Sequence, residues 1–145
     1  EAGLLWLEQA AKAGDLVAQA KLAARKPNET PPDEVNDLLA SAIQESNPDA
    51  LLSAAPLLGA TSKQGIDPRF AAYVGSPNDE YAWAIAACRM GADCGPNSHV
   101  MNEICLSSLY CDYSNYEQFI RAEVLPNAQL ERVNQILALV RGGKT

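Results

Sequence analysis

The chain has 145 residues, 48% of them apolar and 20% charged, so it can bury a core over one domain's length and is not a disordered tail. Its net charge of −7 excludes the basic face of a nucleic-acid binder and argues against attraction to an anionic membrane. The longest uncharged run, 50–62, contains Pro56 and is too short to span a bilayer, so no membrane insertion is expected.

The 24 alanines and 17 leucines favour helix, because these side chains lose little on entering one. Helices are predicted near 2–12, 15–25, 32–46, 48–58, 68–74, 78–90, 98–110, 115–122 and 126–141. Proline punctuates them. Thr30-Pro31, Asn47-Pro48, Asp67-Pro68, Ser76-Pro77 and Leu125-Pro126 each place proline at a first helical position, where its missing N–H costs nothing. Four of these prolines follow a side chain that can cap the helix. Asp33 and Asp79 then suit the positive end of the helix dipole. Ser114 with Glu117 reads as a capping box.

Val35, Leu38, Leu39, Ala42 and Ile43 recur at helical spacing. So do Val100, Met101, Ile104, Cys105 and Leu109, and so do Leu130, Val133, Ile136, Leu137 and Val140. The uncharged run 81–88 predicts a central helix buried on most sides. Segment 59–67, with Gly59, Ser62, Lys63 and Gly65, reads as a loose connection. No stretch alternates with the period of a strand. The fold class is all-α, with consecutive helices paired as antiparallel hairpins. One helical domain over 1–145 is expected, with repeat-like hairpins over 3–58 and a cysteine-containing part over 76–141. The chain begins with Glu1, inside an apolar pattern, and reads as the C-terminal piece of something longer.

Trp6, Ala10, Ala11, Gly14 and Asp15, followed by Ala18, Gln19 and Leu22, resemble a Sel1-like repeat. That family pairs a helix ending in W-x-x-x-A-A-x-x-G-D with one opening A-Q-x-x-L. Gly14 would close the first helix in the left-handed conformation, and Asp15 would cap the second. A shift of 32 residues lays Ala10 on Ala42, Asp15 on Asn47 and Ala18 on Ala50. Segment 41–55 thus looks like a worn second copy without the glycine, and Gly91 echoes Gly14 again. The resemblance implies a short, irregular α-solenoid or helical-hairpin stack that binds another protein.

Cys88, Cys94, Cys105 and Cys111 fall in two C-x5-C pairs. This is neither zinc-knuckle nor C-x-x-C redox spacing. Two disulfides are expected, Cys88 with Cys94 and Cys105 with Cys111, each closing a local loop. The rivals are Cys88 with Cys105 and Cys94 with Cys111, or four reduced core thiols. Disulfides imply a periplasmic or secreted protein.

No nucleophile elbow, phosphate loop, dinucleotide fingerprint or metal-binding signature occurs, so no catalytic residue, metal or cofactor is expected. His99 reads as a solvated residue at a helix start. Asn28-Glu29-Thr30 is a formal glycosylation sequon, of use only in a eukaryotic secretory pathway. Tyr110, Tyr113, Tyr116 and Phe119 gather four of the nine aromatics, either as a packed joint or as partner-binding anchors. Trp6 and Trp83 are expected in the core. The leading functional expectation is a non-catalytic protein-protein interaction module of a bacterial envelope or secreted protein. The alternatives are an inhibitor or immunity-type protein that neutralises a secreted enzyme and, remotely, a hydrolase.

Overall fold

Side-chain caps and left-handed residues set the helix boundaries. A computed structural model describes residues 2–125 and 130–142, and helix is the only regular structure among them. The elements are α1 (Ala2–Lys12), α2 (Leu16–Arg25), a 3-10 turn (Pro27–Glu29), α3 (Pro32–Gln44), α4 (Pro48–Ala60), α5 (Pro68–Ala71) and α6 (Pro77–Arg89). They continue with α7 (His99–Ser108), α8 (Tyr116–Phe119) running into a π-helical turn (Ile120–Val124), and α9 (Leu130–Gly142). The Pro126 expected at a helix start lies outside the described residues.

Three helix ends close in the same way. The N–H of Gly14 donates to the Ala11 carbonyl and that of Asp15 to Ala10. Ser46 and Asn47 repeat this on Ile43 and Ala42, and Gly91 and Ala92 repeat it on Cys88 and Ala87. The first residue of each pair is left-handed, at φ 100°, 52° and 113°. Serine takes the glycine's place at the second turn and carries the strain of that conformation. Asp15 and Asn47 then accept from the N–H groups of Ala18 and Ala50, at 3.0 and 3.1 Å, and so cap α2 and α4. Ala92 has no capping oxygen, and no helix follows that turn directly.

The most extensive packing joins α2 to α4 and α4 to α6, with α1 outside α2 and α9 against α6. Successive hairpin partners therefore dominate less than expected: α3 makes only modest contact with α4. Small residues explain the preference. Ala20 and Ala23 on α2, Ala50 and Ala54 on α4, and Ala82, Ala86 and Ala87 on α6 are all buried and let backbones approach. Gly59 marks the tightest crossing. A Cβ there would lie 2.6 Å from the Glu80 Cβ and 3.1 Å from the Ser76 carbonyl. Trp83 is fully buried at the centre of α6, and its indole donates to the Tyr73 carbonyl at 2.7 Å.

Several sequence expectations are corrected. Trp6 is not core: it is 73% exposed beside exposed Leu5, because α1 packs chiefly on α2, through its other face. Thr30 does not cap α3. Its hydroxyl donates to the Ala23 and Lys26 carbonyls, and Pro31 takes the cap position ahead of α3, which starts at the expected Pro32. Segment 59–67 is pinned rather than loose. Thr61 and Ile66 are buried, Asn36 bonds both the Gly65 carbonyl and the Asp67 N–H, and Lys63 closes the Ala71 and Val74 carbonyls. The helix expected over 68–74 shrinks to α5. Asn115, not Ser114, caps α8, accepting from Gln118 at 2.8 Å. Glu117 is thereby free to serve an ion pair. On α7 only Met101 is buried, and Leu109 ends the helix left-handed and exposed.

Candidate functional site

Cys88 is bonded to Cys94, with Cα atoms 5.7 Å apart, and Cys105 to Cys111, with Cα atoms 4.5 Å apart. The first bridge folds the end of α6 back through the Gly91 turn. The Tyr116 N–H then donates to the Cys94 carbonyl, fixing α8 to this turn. Arg89 adds a two-pronged ion pair to Glu117 at 3.0 and 2.9 Å. These hydrogen bonds from Arg89, together with weaker ones from Arg121, hold the Glu117 carboxyl below the usual glutamate range.

The second bridge spans the end of α7. Leu109 turns the chain at φ 64°, its N–H bonded to the Cys105 carbonyl. Residues 106–112 are exposed apart from the bridge's own covalent tie. Leu106 is 83% and Leu109 84% exposed, with Tyr110 beside them. Large apolar side chains on a cross-linked turn form a rigid, greasy tip. The expected partner-binding set did not include the two leucines. Leu109 belongs to the apolar stripe read from helical spacing, and Leu106 lies outside that stripe. No Lys or Arg lies between Arg89 and Arg121, whereas Asp93, Glu103, Asp112 and Glu117 do.

The aromatic residues behind the tip divide. Phe119 is buried at their centre, with ring centroids of Tyr110, Tyr113 and Tyr116 at 5.5, 5.8 and 6.1 Å. Phe119 therefore packs the joint and has no face free for a partner, contrary to its place among the expected anchors. Tyr116 lies nearly parallel to Phe119 and is half-buried, and desolvation drives its hydroxyl well above the ordinary tyrosine range. Tyr113 donates to Glu123 at 2.5 Å, which pushes its pKa up to about 12. Tyr110 keeps an exposed side towards the tip.

A groove of about 700 Å³ runs between α2, α4, α6 and α7. Leu52, Ala55, Pro56 and Ala84 give it an apolar floor, and Val17 and Ala24 continue it up the α2 wall. Lys21 and Arg25 stand on that wall; Asp49, Glu80, Asp93 and Glu103 stand opposite. Asp49 accepts from the Asp93 N–H at 3.0 Å, and Glu103 pairs with His99 at 2.9 Å. His99, at the first position of α7, is exposed like its partner. Glu80 is half-buried; its N–H donates to the Ser76 carbonyl, but its carboxylate makes no hydrogen bond or ion pair among the described residues. Burial alone raises its carboxyl above the glutamate range.

A second, more open trough of about 950 Å³ lies beside the Cys88 bridge, where the pairing of Arg89 with Glu117 already fills its polar wall. Among the described residues no group of three or more His, Cys, Asp or Glu is placed to hold a metal ion, and no helix is long and apolar enough to cross a membrane. No protein-family model, curated protein or solved structure matches the chain.

Proposed function

We propose that this chain is a non-catalytic protein-binding module of a bacterial envelope or secreted protein, and that it docks through the cross-linked tip. The observation that carries the reading is the exposure of Leu106 and Leu109 on a turn closed by a disulfide. A rigid apolar projection loses little entropy on docking, and its desolvation rewards a partner that covers it. Two bridges in one third of the chain suit an oxidising compartment. The three like turns at Gly14, Ser46 and Gly91, and the side-by-side row of α2, α4 and α6, support a Sel1-like, short and irregular solenoid.

The test replaces Leu106 and Leu109 together with serine and compares capture from an extract of the oxidising compartment. Capture should fall to background while thermal stability stays nearly unchanged, because both side chains are already in water. Unchanged capture would remove the tip from the interface. A second reading, an inhibitor of a secreted enzyme, is favoured by the acidic stretch without Lys or Arg around the tip, which suits a basic cleft. The exposed pair of His99 and Glu103 gives a hydrolase reading the least support, since general bases are tuned in drier surroundings.

A further inference from the structure

We infer that the groove between α2, α4, α6 and α7 is a peptide-docking site that takes an arginine side chain of a partner onto Glu80. This goes beyond the tip, which lies on the other half of α7 and is not needed for it. The argument begins with the state of the four acids. Asp49 is engaged by the Asp93 N–H and Glu103 by His99. Asp93 is exposed and keeps its water. Glu80 is different: α4 presses on it at Gly59, water is partly excluded, and no cation among the described residues pairs with its carboxylate. Lys21 and Arg25 face it from the α2 wall, without an ion pair to it. Tyr81 and Tyr116 are its remaining titratable neighbours.

A half-desolvated carboxylate without a counter-ion is a cost to the free protein that a ligand cation can remove. Arginine fits better than lysine. Its planar fork meets a carboxylate with two hydrogen bonds, and its weaker hydration lowers the cost of entering the groove. Tyr116, stacked on Phe119, also lines the groove and places an aromatic ring within it for a guanidinium to approach. The apolar floor of Leu52, Ala55 and Ala84 would take the aliphatic neighbours of that arginine. Charge complementarity thus selects a basic, partly apolar peptide segment from a partner of this acidic chain.

The experiment uses the whole chain with its disulfides intact. A short acetylated and amidated peptide, one arginine flanked by leucines, is titrated by calorimetry and followed through backbone amide signals. Counterparts carry citrulline or glutamate in place of arginine. Saturable binding of the arginine peptide is expected, with signals moving on α4, α6 and the first half of α7. Citrulline, and separately Glu80→Gln, should each weaken binding roughly tenfold or more, the scale of a charge-assisted hydrogen bond. Glu80→Lys should reverse the preference towards the glutamate peptide. The inference is overturned if the arginine peptide fails to bind at millimolar concentration. It is equally overturned if citrulline binds as well, if Glu80→Gln matches the parent, or if the moving signals lie at the Arg89 trough. The citrulline comparison needs no variant, so a folding defect in either variant does not protect the idea.

Discussion

Arg132 of α9 reaches Asp79 of α6 across 53 positions of sequence, its guanidinium 2.7 Å from the Asp79 carboxylate and 2.8 Å from the Ala72 carbonyl. Asp79 is buried, and its other oxygen accepts from the Ser76 hydroxyl at 2.7 Å while its N–H donates to Ser76 Oγ at 3.1 Å. One carboxylate therefore closes the N-terminus of α6 and anchors the last helix.

Removing the cation leaves that carboxylate buried without its partner. Arg132→Met should destabilise the protein by about 3 kcal/mol, the scale of a broken buried pair. Arg132→Met combined with Asp79→Asn should cost less than Arg132→Met alone, since the unpaired charge goes with its partner. Urea unfolding of Arg132→Met, Asp79→Asn and the double variant measures this, and additive losses would show that the two side chains act independently.

The two bridges should differ in what they support. Each closes a small loop, for which chain entropy gives about 2 kcal/mol. Cys94 is buried and the turn it closes carries α8, whereas the turn closed by Cys111 is in water. Alanine at Cys88 and Cys94 should lower the melting temperature more than alanine at Cys105 and Cys111, as read by scanning calorimetry. Thiol titration of the denatured, unreduced protein should find no free cysteine.

Tyr113 and Tyr116 separate packing from docking. Tyr116 stacks on buried Phe119. Tyr116→Ala should therefore cost roughly 2 kcal/mol and several degrees in melting temperature. Tyr113→Ala, at the better hydrated edge, should move it less. Glu123→Gln should bring the Tyr113 hydroxyl from about 12 back towards 10, visible in ultraviolet difference titration.

Glu80 and Glu117 give acid pH two opposite effects. Burial raises the folded pKa of Glu80 above 4.5, so the native state holds its proton more tightly than the unfolded chain does. Its contribution grows as pH falls through the folded pKa towards 4.5. Hydrogen bonds from Arg89 lower the pKa of Glu117, so its contribution is present above 4.5 and is lost as pH falls below that value. Urea midpoints across this range should show Glu80→Gln lacking the gain and Glu117→Gln lacking the loss. Glu80→Gln should also be the more stable protein at neutral pH.

Local chemistry made much of the fold legible in the sequence. Asp15, Asn47, Ser76 and Gly14 do what their side chains, or the lack of one, allow at a helix end, because each partner lies within a few residues. The same holds for the buried stripes of α3 and α9, set by helical period, and for the two C-x5-C loops, which are short enough to close on themselves. Tertiary structure decided everything that depends on a distant neighbour. Trp6 and Leu109 are as apolar as Trp83 and Leu39, but no helix packs over them, so they face water. Asp79 carried the pattern of a dipole-stabilising acid, and only the docking of α9 made it an ion pair. Glu80 is its sequence neighbour with the same charge. Only the close crossing of α4 at Gly59 deprived it of water, and only the placing of α2 and α7 made a groove in front of it. Burial is a property of the surroundings, and the surroundings of a side chain are set by helices whose order in space the local sequence pattern does not encode.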